Sequence, residues 1–476
     1  MDIHITLDGR HALAAQICRQ LRAGIVDGRL AAGARLPSSR ELASRLGVSR
    51  KTTLEVFERL TAEGFLSPRP GAGTYVAAGL ARAPRAADAA TPLELPVWTR
   101  DDAPTPQPDF ELDFRGGVTD RRAFPFAVWR RCINHAVRVE ARTPARYGDP
   151  AGEAALRLAV ARYLGFHRAV SCGADDIVVT QGAQQALDLI ARVVVRPGDV
   201  VVLEDPGYPP ARACFEALGA RVTGVAVDDE GLIVERLPEH ARLVYVTPSH
   251  QFPLGMPMSL PRRVALLEWA QARGAIVIED DYDGEYRFEG RALESLKSLD
   301  RDGRVAYVGT FSKTLFPGLR IGYTVVPPAL LAALRRAKQL ADWHSGTLTQ
   351  TALARFMHDG DFARHLRRMH ALYRVRRQIL LDRLHGELAP WLQPVSAAAG
   401  IHLTARLRPG LSETALIAAA ATQAIGLYGI SGFYRDTPAQ AGLLFGYGGM
   451  DGVEIGRALD GLAQLLRDGV AGKVAT

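Results

Sequence analysis

Cysteine is scarce in this chain: four in 476 residues (Cys18, Cys132, Cys172, Cys214), none in CxxC spacing. That excludes a disulfide framework and a cysteine-based zinc site, and no metal is expected. Long apolar runs are also missing. No stretch approaches the roughly 20 residues needed to cross a bilayer, so a membrane protein is not expected. The start, MDIHITLDGRHALAAQ, lacks a basic segment followed by an apolar one, and no signal peptide is expected. Scarce cysteine and the lack of a targeting segment together fit a reducing cytoplasm.

Length argues for two or more domains. Net charge is +7, and residues 1–79 carry 11 Lys+Arg against 7 Asp+Glu, a net +4 from a sixth of the chain. Charge of that size describes a solvated basic face as well as a nucleic-acid surface, so the residue pattern has to decide.

In HALAAQICRQLRAGIVDGRL (11–30), Leu13, Ile17, Leu21 and Ile25 recur at helical spacing and the segment stops at Gly28. Further on, Ser38 is placed to cap a helix with Glu41 three residues later, a capping-box pattern, and that helix stops at Gly47. Ser49 caps the next helix, whose apolar positions Leu54, Phe57 and Leu60 are expected to face inward. Two short helices joined by a Gly-containing turn form a helix-turn-helix. The second begins Ser49, Arg50, Lys51, Thr52, Thr53, with hydroxyl and basic groups at the end that enters the major groove in such motifs. SPRPGAGTYVA (67–77) reads as a β-hairpin wing that turns at Gly71 and Gly73, with Arg69 placed to meet phosphate or the minor groove. The alternative, a small helical dimerisation domain, leaves that clustering unexplained. Residues 1–79 are therefore expected to bind double-stranded DNA. Residues 80–109, rich in Ala, Pro and acids, read as a semi-rigid linker along which Leu93, Leu95, Val97 and Trp98 could pack on a neighbouring surface.

From residue 110 to 476, short β-rich apolar runs alternate with helical stretches. DIVVTQ (176–181), DVVVLEDP (199–206), ARLVYVTPS (241–249), AIVIEDDY (275–282), RVAYVGTFS (304–312) and RIGYTVV (320–326) read as buried strands. An α/β domain around a mostly parallel sheet follows, and ligands on such sheets gather at strand carboxyl ends. The polar residues fall at those ends: Gln181-Gly182, Asp205 to Tyr208, Ser249-His250, Asp280 and Lys313. Lys313, Asp280 and Tyr282 supply an amine, a carboxylate and a phenol, the set that holds pyridoxal 5'-phosphate by its aldehyde, ring nitrogen and ring hydroxyl. Lys313 is expected to form the Schiff base. Gly182, Ala183 and Gln184 open a helix whose N–H groups suit the phosphate, with Thr310, Ser312 and Arg320 completing that site. Tyr208 is placed to stack on the ring. A lysine past a strand is unremarkable alone; the ordered set is specific.

Over nearly its whole length the chain resembles the MocR subfamily of GntR regulators. The matching motifs are RLPSSRELA (35–43), GVSRKT (47–52) and GAGTYV (71–76), then YGDPAGEAALR (147–157), TQGAQQALDL (180–189), VTPSHQFPLG (246–255), IEDDYDGEYRF (278–288) and GTFSKTLFPGLRIGY (309–323). The resemblance implies an α/β fold-type I, aspartate-aminotransferase-like domain behind an N-terminal winged helix-turn-helix. It implies DNA contacts by Arg40, Ser49, Arg50, Thr52 and Thr53, with Arg69 and Thr74 on the wing. It also implies a homodimer in which the DNA-binding arm of one chain lies against the large domain of the other. By the same match, Tyr147 would reach the cofactor phosphate of the partner subunit.

Two departures from true aminotransferases matter. HQFPLG (250–255) places Phe252 where they carry an asparagine to the ring hydroxyl, leaving His250 or Gln251 for a polar contact. AGLLFGYGG (441–449) offers Leu444 and Phe445 where they carry the arginine that clamps a substrate carboxylate, and Arg435 is not at the matching position. The expectation is a regulator that senses pyridoxal phosphate or an amine effector, biasing a two-state dimer. The alternative is a working aminotransferase with an accessory DNA-binding arm. Sustained turnover is not expected, and a half-reaction stays open.

Overall fold

The computed structural model describes residues 4–9, 11–79, 109–290 and 294–469. The chain divides into two compact units, Met1–Thr99 and Arg100–Thr476. The expected linker, Asp109 apart, lies outside the described residues.

In the first unit, α1 (Leu13–Val26), α2 (Ser39–Leu46) and α3 (Arg50–Ala62) surround a core of Ile17, Leu21, Ile25, Leu42, Val56, Phe57 and Leu60. Ser38 caps α2 by accepting the Glu41 N–H, while the Glu41 carboxylate pairs with Arg45, so the cap is one-sided. Gly47 ends α2 at φ 64°, a left-handed conformation that suits glycine. Ser49 caps α3 through the Thr52 N–H. The antiparallel strands β1 (Leu66–Arg69) and β2 (Gly73–Val76) make the wing, with Arg69 opposite Gly73. One expectation is corrected here. Leu54 is 46% exposed, and the inward face of α3 is Thr53, Val56, Phe57 and Leu60.

The second unit opens with a two-residue strand, β3 (Leu112–Asp113). Its large sheet has eight strands: β4 (Ile177–Thr180), β5 (Val200–Asp205), β6 (Arg221–Asp228), β7 (Gly231–Leu232), β8 (Ala241–Val246), β9 (Ile276–Asp281), β10 (Val305–Thr310) and β11 (Gly322–Val325). Their spatial order is β4-β11-β10-β9-β8-β5-β6-β7. The five from β10 to β6 run parallel, and β11 and β7 are antiparallel to their neighbours. All six strands expected from the sequence are present.

The continuous apolar runs have a direct cause: both faces of this sheet are covered. Leu243 and Tyr245 of β8 and Ile276 and Ile278 of β9 pack into one core layer, with Leu187 and Ile190 from the helix Ala183–Val194. The residues between them, Val244, Val246 and Val277, pack into the other, with Leu266 and Ala270 from the helix Leu260–Arg273. β6, absent from the sequence reading, is only half buried and lies towards the sheet edge, so its side chains carry no continuous apolar signal. A smaller sheet follows: β12 (Leu392–Pro394), β13 (His402–Leu407), β15 (Tyr428–Gly429) and β16 (Gly442–Gly446), while β14 (Ile425–Gly426) pairs with β3. No described helix is long and apolar enough to cross a membrane.

Candidate functional site

Three consecutive acids end β9, and the two-residue strand period separates them. Glu279 turns away from Asp280 to accept the backbone N–H groups of Leu296 and Lys297 at 2.9 and 2.8 Å. Asp281 pairs with the buried Arg168 at 2.6 Å. Asp280 follows Ile276 and Ile278 on the other face, where Tyr245 donates to its Oδ2 at 2.8 Å. Its Oδ1 is buried with no hydrogen-bond partner. Burial pushes the Asp280 carboxyl up to about 7.

Asp280 opens onto a cavity of about 410 Å³ at the carboxyl ends of the parallel strands. Lys313 enters it from just beyond β10, and its Nζ donates to the Gly117 carbonyl at 3.0 Å. Burial lowers the Lys313 pKa, opposed by the Asp283 and Asp280 charges. A side chain at position 117 would collide with Nζ, so glycine there keeps the amine's place open.

At the polar end of the cavity, Ala183 and Gln184 begin the helix that Gly182 caps. Thr310 and Ser312 line the same cavity, their hydroxyls 3.0 Å apart. Arg320 donates to the Gln181 carbonyl at 2.7 Å and lies so close to Gly182 that a Cβ there would sit 3.0 Å from Nη2. Gly182 also has φ 86°, a left-handed conformation that favours glycine. A helix N-terminus, two hydroxyls and a guanidinium make an anion cradle.

Tyr208 and Tyr282 line the cavity, and Tyr208 meets Phe252 edge-on at 5.5 Å. The Tyr282 hydroxyl donates to the His250 carbonyl at 2.9 Å. His250 itself was expected at the ligand and is not in the cavity wall. Its Nδ1 lies 3.0 Å from the buried Asp283 carboxylate and 3.0 Å from Tyr282 Oη, which draws the imidazole behind the tyrosine. His402, whose ring lies 4.5 Å from that of His250, takes the wall position instead. His250, Asp283 and His402 are also the one cluster of potential metal ligands among the described residues. His250 Nδ1 is held by Asp283 and His402 Nε2 lies 3.1 Å from the Pro253 carbonyl, while His250 Nε2 is buried without a hydrogen-bond partner. Tyr147 does not reach this cavity; it is 70% exposed and stacks on Trp343 at 4.5 Å.

Sequence reasoning missed Gly117, Tyr245, Arg115, Ile401, Tyr428 and Phe433. Tyr245 sits mid-strand in an apolar run, and only the register of β8 against β9 brings it to Asp280. The others come from loops and the second sheet, more than 80 residues from Lys313 in every case, and no local pattern marks them. Leu444 lines the cavity, as its place on β16 allows, and Arg435 does not.

In the first unit, Arg40, Ser49, Arg50 and Arg69 are exposed, and Thr52 and Thr74 half-buried. The Arg69 guanidinium rests over the Tyr75 ring at 4.5 Å. Thr53 departs from the expected set. It is fully buried and its hydroxyl donates to the carbonyls of Ser39 and Arg50 at 2.7 and 3.0 Å, so it braces α3 against α2.

Fold and site together define a winged helix-turn-helix joined to a fold-type I aminotransferase domain, a fold whose members bind pyridoxal 5'-phosphate. Residues 118–439 match the aminotransferase class I and II family and residues 13–76 the bacterial regulatory proteins of the gntR family. The chain is 37% identical to the "Probable rhizopine catabolism regulatory protein MocR" of Rhizobium meliloti, over 92% of this chain and 90% of that one. It is 35% identical to the uncharacterized HTH-type transcriptional regulator YhdI of Bacillus subtilis, over 96% of each. Among solved structures, a Pyrococcus horikoshii kynurenine aminotransferase in complex with PMP matches with TM-score 0.70 and 30% identity, over 76% of this chain and 91% of that one. This chain belongs to the MocR subfamily of GntR-type transcriptional regulators, those carrying an aminotransferase class I and II domain.

Proposed function

We propose that this regulator holds pyridoxal 5'-phosphate in the Lys313 cavity and uses it to sense the cofactor itself or an amine, altering how its winged helix binds an operator. The observation that carries the reading is the unpartnered, buried Oδ1 of Asp280 in the same cavity as the buried Lys313 amine. A carboxyl that burial drives to about 7 is stabilised as an anion by a cationic ring nitrogen. The residues present therefore fit the group.

Asp280 would hold a proton at that nitrogen. Lys313 would supply the attaching amine, Tyr282 would face the ring hydroxyl and Tyr208 the ring. Ala183, Gln184, Thr310, Ser312 and Arg320, around Gly182, would hold the phosphate, joined by Tyr147 from a partner subunit. Bound there, the cofactor supplies an aldehyde that captures primary amines and a ring that withdraws electrons. Arg40, Ser49, Arg50, Thr52, Arg69 and Thr74 would meet the DNA, Ser49 by way of its cap. A homodimer with exchanged DNA-binding arms and residence in the cytoplasm complete the proposal; the four free cysteines suit a reducing compartment.

A working aminotransferase with an accessory arm is the second reading. Leu444 in the cavity wall counts against it, because a buried leucine cannot replace an arginine–carboxylate fork. The test is spectroscopic. Purified protein incubated with pyridoxal phosphate should absorb near the visible edge, borohydride should fix the label to Lys313, and Lys313→Ala should take up none. Colourless wild-type protein that borohydride leaves unchanged defeats the reading. Turnover of an amino donor and a 2-oxo acid at about 1 per second or more favours the enzyme.

A further inference from the structure

The cavity is also lined by a largely apolar set, Phe252, Ile401, Phe433, Leu444 and Tyr428. Phe252 packs edge to face against Phe433 at 5.1 Å and against the neighbouring Tyr208 at 5.5 Å. This geometry presents ring edges and faces to a guest and suits an aromatic or aliphatic body.

Charge on this side is already balanced. Arg115 lines the cavity, but its Nε donates to Tyr428 Oη at 3.0 Å and a terminal nitrogen lies 3.4 Å from Asp113. Tyr428 in turn donates to Asp113 at 2.8 Å. His402 adds no positive charge, since burial and the neighbouring His250 hold its imidazole far below the usual range, at about 3. Leu444 occupies the space above Gly116, where an added Cβ would meet its Cδ2 at 2.9 Å. A carboxylate brought here would lose its water and meet apolar side chains and a neutralised guanidinium.

We infer that Phe252, Ile401, Phe433 and Leu444 form the effector-selecting surface, and that it admits a primary amine with an apolar body and no carboxylate. The inference rests on the cofactor reading above. It narrows the effector from any amine to one chemical class.

The experiment uses the full chain reconstituted with pyridoxal phosphate. It is titrated separately with 2-phenylethylamine, L-phenylalanine and γ-aminobutyrate, and both the absorbance of the bound cofactor and the melting temperature are followed. The first two probes differ by one carboxylate. Phenylethylamine is expected to half-saturate at a concentration roughly 100-fold below that of phenylalanine, with γ-aminobutyrate at least as weak. Leu444→Arg, where it folds, is expected to narrow the gap between phenylethylamine and phenylalanine. An amino acid that equals or outdoes phenylethylamine on wild-type protein overturns the inference. So does cofactor-loaded protein that responds to none of the three, which leaves the cofactor itself as effector. Wild-type protein that never takes up the cofactor sinks the underlying reading instead, before any amine is added.

Discussion

Asp280 and its two acidic neighbours are a case in which one-residue steps along a strand change the chemistry available. Glu279 and Asp281 are tied to backbone N–H groups and to Arg168, and only Asp280 presents an unsatisfied oxygen to the cavity. Asp280→Asn is expected to weaken cofactor binding roughly 10- to 100-fold, the worth of a hydrogen bond to a charged group, in an absorbance titration. Arg50 makes the matching case in the first unit. It is exposed at the start of α3, and Arg50→Ala should abolish operator retardation in a gel shift while leaving the cofactor absorbance intact. Thr53, by contrast, is expected to matter for stability. Thr53→Val removes a buried donor from two carbonyls and should cost about 1 kcal/mol in denaturant unfolding.

Elements here end where single residues make them end. α2 stops because Gly47 takes φ 64°, which frees the chain to begin α3 three residues later under the Ser49 cap. Gly47→Ala keeps the helices' sequences but strains that turn, and a loss of about 1 kcal/mol is expected in the unfolding of the DNA-binding unit. In the large sheet the alternation of β8 and β9 assigns each side chain to one of two core layers. A one-residue slip of β9 would exchange Asp280 for Glu279 or Asp281 at the cavity. The dense apolar packing on both faces fixes the register.

Over the whole molecule, burial of acids sets an expected pH response. Glu204, Glu279 and Asp280 are each pushed up to about 7, burial being the main cause. In the unfolded chain such groups ionise near pH 4. Folding therefore favours their protonated forms, and the stabilisation is complete below pH 4 and lost as pH rises through 7. Protein without cofactor should melt several degrees lower at pH 8 than at pH 6. Bound cofactor should reduce that fall, because a cationic partner favours the ionised Asp280. A melting temperature that rises over the same interval in cofactor-free protein contradicts the assignment. DNA affinity should drop steeply with salt, since phosphate contacts by basic side chains release counterions.

What the sequence determined alone was whatever depends on local pattern. Strands buried on both faces need unbroken apolar runs, so six of the eight strands of the large sheet were legible, and the polar residues after them marked the ligand end. Caps and stops are local too, which is why the helix-turn-helix and its wing were readable from Ser38, Gly47, Ser49 and Gly73. The tertiary structure decided the rest. Packing against α1 and α2 turned α3 so that Thr53 is buried and Leu54 is not, a rotation that a short helix with apolar residues on adjacent positions leaves undetermined. The buried Asp283 pulled His250 behind Tyr282, and strand register brought Tyr245 to Asp280. The apolar lining of the Lys313 cavity was assembled from Phe252 and from residues 401–444, all more than 50 residues from Lys313 along the chain. Long-range contacts of that kind leave no periodicity in the chain, because each residue is chosen by a neighbour that the sequence places far away.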